Sequence, residues 1–126
     1  MKLLRTKEAI IFEKLFPTDY KSFGCGPGGI GDWFIPDTMW GLSVRAACRQ
    51  HDHDYRFGLG SSEKHRKQCD NRMRDNMRII VNAKSKTKTF KAMRHVRVNT
   101  YYWWVRACGG GSYWDERNPK NTIGVV

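Results

Sequence analysis

The sequence predicts a mostly α-helical chain folded as one small domain, on three observations. Apolar residues recur at helical spacing over several stretches, each bounded by residues that cap or stop helices. No stretch alternates apolar and polar residues as a half-buried strand would, and neither repeat nor linker divides the 126 residues. With 40% hydrophobic and 13% aromatic residues the composition is far from disordered, and a chain this long buries roughly two-thirds of its unfolded surface in one core.

The first helix runs from Thr6 to Phe16, carried by Ala9, Ile10, Ile11, Phe12, Leu15 and Phe16, and Pro17 ends it. Loop follows. Phe23-Gly24-Cys25-Gly26-Pro27-Gly28-Gly29-Ile30-Gly31 holds too much glycine and proline for helix or strand, so its own N–H and C=O groups are exposed. A second helix spans about Leu42 to Phe57, with Ser43 or Thr38 as capping candidates and Gly58 and Gly60 as stop signals. Val44, Cys48, His51 and Tyr55 fall within roughly 60° of one another on it and form its inward face. The third helix follows Ser61 and Ser62 and extends to about Val81, with Met73, Met77, Ile80 and Val81 on its apolar side and Asp70 beside them. The fourth runs from Thr89 to Cys108, its apolar positions read as Phe90, Met93, Val96, Trp103 and Ala107, and Gly109-Gly110-Gly111 stops it. The tail from Tyr113 to Val126 shows no period.

Lys and Arg total 23 against 12 Asp and Glu, a net charge of +11 that concentrates anionic partners such as acidic lipid or nucleic acid. No apolar run approaches the roughly 18 residues of a spanning helix, and Arg5, Lys7 and Glu8 cut short any signal-peptide core, so no ordinary export signal is expected. Cys25, Cys48, Cys69 and Cys108 allow three pairings and lack zinc-type spacing.

The chemistry concentrates in Cys48-Arg49-Gln50-His51-Asp52-His53-Asp54-Tyr55. Two imidazoles and two carboxylates within about one helical turn invite a transition-metal reading, but His51 and His53 project about 200° apart on a helix and cannot grip one ion together. His53 and Asp54 read as solvent-facing. His51 shares its face with Val44, Cys48 and Tyr55, and a buried imidazole needs a partner. Asp70 is the matching oddity, a carboxylate on the apolar side of the next helix. A short connection at Gly58 to Ser62 would bring the two together, as a structural pair or a catalytic one. Asp52 projects about 100° from His51, toward the Gly24 to Gly29 loop, whose carbonyls are hard donors of the kind calcium prefers. The same loop contains Gly24-x-Gly26-x-x-Gly29, but no strand precedes it and no helix opens after it, which discounts a dinucleotide site.

Cys25-Gly26-Pro27-Gly28-Gly29, followed by Cys48-Arg49-Gln50-His51-Asp52-x-Asp54-Tyr55, resembles the calcium loop and active-site helix of the secreted phospholipase A2 family. The resemblance covers roughly Phe23 to Val81. It implies two antiparallel disulfide-linked helices, with Cys25 paired to Cys48 and, by what remains, Cys69 to Cys108. It implies a calcium-dependent esterase that releases the sn-2 fatty acid of a glycerophospholipid. His51 would be the general base, a role suited to the side chain that titrates near neutrality. Asp70 and Tyr55 would orient it, and Gly26 N–H would stabilise the oxyanion. Ca²⁺ would sit between Asp52 and the carbonyls of Gly24, Gly26 and Gly28. Asp54 stands where the family has a further Cys, and Gly24 where it has Tyr; the short gap between His51 and Asp70 looks like the compact bacterial, fungal or viral branches.

Between Ser61 and Arg97, twelve Lys and Arg face three acidic residues, a local excess of +9. With Trp33, Phe34, Ile35 and Trp40 after the loop, this suits docking on an anionic phospholipid surface. Trp40 is weighed as core, and Tyr101-Tyr102-Trp103-Trp104 must divide between packing and lipid. The expected protein is a monomer outside the cell or delivered to a target membrane, in a virus or phage particle or as a secreted effector, with no dedicated nucleic-acid partner. Two alternatives stand beside it. A basic nucleic-acid-binding protein would use Lys84-Ser85-Lys86-Thr87-Lys88 on phosphates, and an inactive phospholipase-like toxin or structural component would keep every group named.

Overall fold

The computed structural model describes residues 1–24 and 38–117. Glycine-loop residues 25–31, Trp33, Phe34, Ile35 and the end of the tail lie outside the described residues. Six helices and one short hairpin make up the described chain.

Helix α1 (Lys7–Leu15) begins where Thr6 Oγ1 accepts a hydrogen bond from Ala9 N at 3.2 Å. Pro17 ends it as expected, but opens a second helix, α2 (Pro17–Ser22), where loop was expected. A proline lacks only a donor that the first turn of a helix leaves unused. Strands β1 (Thr38–Met39) and β2 (Leu42–Ser43) pair antiparallel, Thr38 opposite Ser43 and Met39 opposite Leu42. Trp40 and Gly41 between them both have positive φ, 46° and 80°, which a two-residue hairpin turn demands. The turn leaves the Trp40 ring exposed, so Trp40 is not core, and neither Thr38 nor Ser43 is the cap of the next helix.

That helix, α3 (Arg45–Phe57), starts three residues later than expected because Leu42 and Ser43 belong to the hairpin. The five-residue connection Gly58–Ser62 turns the chain into α4 (Glu63–Lys84), whose cap Ser62 Oγ accepts from His65 N at 3.0 Å. Thr87 caps α5 (Lys88–Cys108) in the same way through Phe90 N. The glycines then do not end helical structure, since α6 (Gly110–Asp115) follows at once and carries fully buried Tyr113.

One core holds Val44, Ala47, Cys48 and Tyr55 of α3, Met73, Met77, Ile80 and Val81 of α4, and Val98, Tyr101 and Val105 of α5. Helix α4 packs against both α3 and α5. The inward faces of α3 and α4 are as the sequence predicts; that of α5 is not. Its buried line is Arg94, Val98, Tyr101, Tyr102 and Val105, whereas Phe90, Val96, Trp103 and Ala107 face solvent. Val98, Tyr101 and Val105 take the core side, and Arg94 goes inward with them because its Nε and Nη2 donate to the carbonyls of Met39 (3.0 Å) and Trp40 (2.6 Å) in the hairpin. A second cluster of Ala9, Tyr20 and Phe23, joined by Phe12, seats α1 and α2 on α3.

The expected Cys69–Cys108 bridge is absent; both cysteines are free. Cys69 is buried with Sγ against His65, on the side of α4 that meets Asp54 and Arg117, while Cys108 lies exposed at the end of α5. The expected Cys25–Cys48 bridge falls on Cys25, outside the described residues; Cys48 is buried and is not a free thiol.

Candidate active site

Four turns of α3 carry the site past α4. His51 Nε2 lies 2.7 Å from Asp70 Oδ1, and both side chains are fully buried. A carboxylate only accepts, so the shared proton sits on Nε2 and the lone pair sits on Nδ1. Nδ1 is buried and has no hydrogen-bond partner among the described residues. The pair predicted from two separate helices is therefore formed, with the imidazole fixed in one tautomer and its basic nitrogen unengaged.

Asp70 is held from three further directions. Tyr55 Oη donates to Oδ1 at 2.5 Å, Arg106 Nη1 to Oδ2 at 2.6 Å, and Arg66 Nη1 stands 3.8 Å from the same oxygen. Burial alone would raise the Asp70 carboxyl, but the His51, Tyr55 and Arg106 bonds outweigh it and keep it below the ordinary aspartate range. The same burial, with the Asp70 charge beside it, pushes the Tyr55 hydroxyl well above the ordinary tyrosine value and keeps it a donor. Gly109 makes room for that hydroxyl, since a Cβ there would sit 3.0 Å from Tyr55 Oη.

Asp52 is also buried. Burial raises its carboxyl, offset in part by Arg56, His51 and the Gly24 backbone. Oδ1 accepts from Arg56 Nε at 2.9 Å, while Oδ2 has no hydrogen-bond partner among the described residues. A buried carboxylate oxygen left over, beside the backbone of the first loop glycine, fits a hard cation that takes oxygen ligands. Gly24 is thus brought to Asp52; Gly26 and Gly28 lie outside the described residues, and among the described residues no group of three acidic, His or Cys side chains forms a metal cluster.

His53 and Asp54 are not solvent-facing; each is only 2% exposed. Helical spacing puts His53 opposite the α4 face, where α1 and α2 cover it, whereas Asp54 lies about 60° from His51 and is covered by Arg72 of α4. The His53 ring packs 5.3 Å from Phe12 and 5.7 Å from Phe57, and burial lowers its pKa. Asp54 accepts from Gln50 at 3.0 Å and from Arg72 at 2.6 Å.

Sequence reasoning missed the arginines. Arg56 was readable as the i+4 partner of Asp52. Arg66 was readable in the same way, as the residue four positions before Asp70 on α4, whereas Arg106 carries no such local signal because it reaches Asp70 from α5. Arg117, in the aperiodic tail, donates to the carbonyls of Tyr55, Gly60, Gly58 and Asp54 and so fastens the C-terminal end of α3. No family model, curated protein or solved structure matches the chain.

Proposed function

We propose that the protein is a calcium-dependent phospholipase A2, an ester hydrolase that cleaves the sn-2 acyl chain of glycerophospholipids with a histidine-activated water. One observation carries the reading: a buried imidazole whose Nε2–H is held by Asp70, whose Nδ1 has no partner among the described residues, and whose neighbour Asp52 keeps an unengaged carboxylate oxygen. Nδ1 of His51 takes a proton from water as the water oxygen adds to the ester carbonyl carbon. The proton then passes to the departing glycerol oxygen as the acyl C–O bond breaks, leaving a fatty acid and a lysophospholipid. A positioned base of this kind contributes about 10²–10⁴-fold. Asp70 is a positioning residue that keeps the tautomer and balances the charge His51 gains; Tyr55 and Arg106 in turn hold Asp70.

Asp52 and the carbonyls of Gly24, Gly26 and Gly28 would hold Ca²⁺, with the Gly26 N–H facing the oxyanion. The bound ion supplies positive charge that polarises the ester carbonyl. The reading carries with it a membrane-facing site of action, outside the producing cell or on a target membrane.

The test is fatty-acid release from mixed phosphatidylglycerol and phosphatidylcholine vesicles, with calcium or chelator, followed by mass spectrometry. Calcium-dependent release of sn-2 acid and lysophospholipid is expected, with loss of at least 10²-fold in His51→Gln at unchanged helicity. Undiminished turnover in a folded His51→Gln protein would refute the mechanism.

A further inference from the structure

The outward face of α5 carries a line of apolar residues that has no partner among the described residues. Along this 21-residue helix Ala92, Val96, Trp103 and Ala107 lie within about 60° of one another, with Thr89, Asn99 and Thr100 beside them, opposite the buried line of Arg94, Val98, Tyr101 and Val105. Val96 is 65% exposed and Trp103 68%, and Trp104 stands half exposed at the edge of the line. A sequence period that would ordinarily bury such residues is turned out to solvent because Val98, Tyr101 and Val105 take the core side, with Arg94 tied to the hairpin.

The charge around this line has one sign. The helix contains Lys88, Lys91, Arg94, Arg97 and Arg106 and no Asp or Glu. Lys84 and Lys86 stand exposed just before it. Of the acids on the neighbouring helix, Asp75 is already paired with Arg74 and Arg78, and Glu63 with Arg66. We propose that this face of α5 is a docking surface for anionic lipid, with Val96, Trp103 and Trp104 entering the headgroup–acyl boundary and Lys88 and Arg97 meeting lipid phosphates.

Charge decides against a second copy, since self-apposition would bring Lys88 and Arg97 of two copies together with no acid on the helix to meet them. The apolar line decides against nucleic acid as the preferred partner, because Ala92, Val96 and Ala107 offer nothing to a phosphate backbone but suit a hydrocarbon boundary. A helix of 21 residues is about 31 Å long and presents a long, straight face that suits a plane. Helix α5 also lies beyond the 23–81 stretch that carries the resemblance. The proposal rests on the lipid partner of the proposed function but not on its catalysis.

The test measures co-sedimentation of the full chain, in chelator, with vesicles of equimolar phosphatidylglycerol and phosphatidylcholine or of phosphatidylcholine alone. The double variant Trp103→Ser/Trp104→Ser removes only exposed side chains, and circular dichroism checks its fold. Binding to the anionic vesicles is expected to fall at least tenfold in the variant, and the parent is expected to bind them at least tenfold more tightly than the neutral ones. Equal binding by parent and variant, or equal binding to both vesicles, would overturn the proposal. So would a parent dimer in solution that the variant dissociates, or tighter binding of the parent to duplex DNA than to lipid. Anionic binding by a parent that releases no fatty acid when calcium is restored would defeat only the catalytic reading, and hydrolysis with α5-independent binding only this one.

Discussion

Replacing Asp70 with Asn removes one charge from the centre of the site and almost no volume. Asp70 is fully buried and accepts from His51 (2.7 Å), Tyr55 (2.5 Å) and Arg106 (2.6 Å). Each hydrogen bond to a charged group is worth about 1.5–3 kcal/mol, and breaking a buried charged network costs about 3–5 kcal/mol. Asn keeps one acceptor and Arg106 remains partly solvated, so the expected loss is about 3 kcal/mol, within the roughly 5–15 kcal/mol of a domain this size. Its pH dependence follows from the lowered Asp70 pKa. A folded-state pKa below the unfolded one gives stability that is present above the ordinary value of 3.8 and is lost as pH falls through the folded value. Urea unfolding of parent and Asp70→Asn should therefore differ by about 3 kcal/mol at pH 7, and the gap should shrink as pH falls below 3.8. The amide also presents an N–H to His51 and disturbs its tautomer, so hydrolysis should fall, though less than in His51→Gln. A stability gap that does not shrink as pH falls below 3.8 would refute the assignment of a buried carboxylate, and an unchanged rate would show that another group orients the imidazole.

Asp52→Asn should keep the helicity of the parent and lose at least tenfold in Ca²⁺ affinity by calorimetry, because the one buried carboxylate facing the Gly24 backbone is neutralised; equal affinity would remove Asp52 from the cation site. Gly109→Ala places a Cβ 3.0 Å from Tyr55 Oη and 2.7 Å from the Val105 carbonyl, and should cost about 1–3 kcal/mol in urea unfolding. A neutral result would mean that Tyr55 and Gly109 are not in close approach. Iodoacetamide at pH 8 should label Cys108 but not Cys69, whose thiol burial pushes up to about 12; peptide mapping that finds Cys108 protected would restore the bridge expected from sequence.

The inward faces of α3 and α4 were legible because both sides of the match are local: Val44, Cys48, His51 and Tyr55 repeat with the helix, as do Met73, Met77 and Ile80. Asp70 was legible as an anomaly, a charge on an apolar stripe opposite an equally anomalous histidine. His53 and Asp54 were misread because periodicity assigns one buried face, and α3 is covered on two sides by unrelated packing from α1 and α4. The α5 face was misread for the converse reason. Val96 and Trp103 have the right spacing for a core, and only contacts across the fold, of Val98, Tyr101 and Val105 with the core and of Arg94 with the hairpin, decide which way the helix is turned.

By itself the sequence placed the starts of α1 and α4, at Thr6 and after Ser62, and that of α5 to within a residue, and put an imidazole and a carboxylate on adjacent inward faces. Caps and periods are properties of neighbouring residues, so a one-dimensional reading reaches them. Only the tertiary structure decided that Arg106 holds Asp70, that Arg117 fastens α3, that Cys69 and Cys108 stay unbridged, and that α5 presents tryptophans to solvent. Those outcomes depend on contacts between residues 36 to 63 positions apart, and no local propensity encodes the rotation and height at which two helices meet.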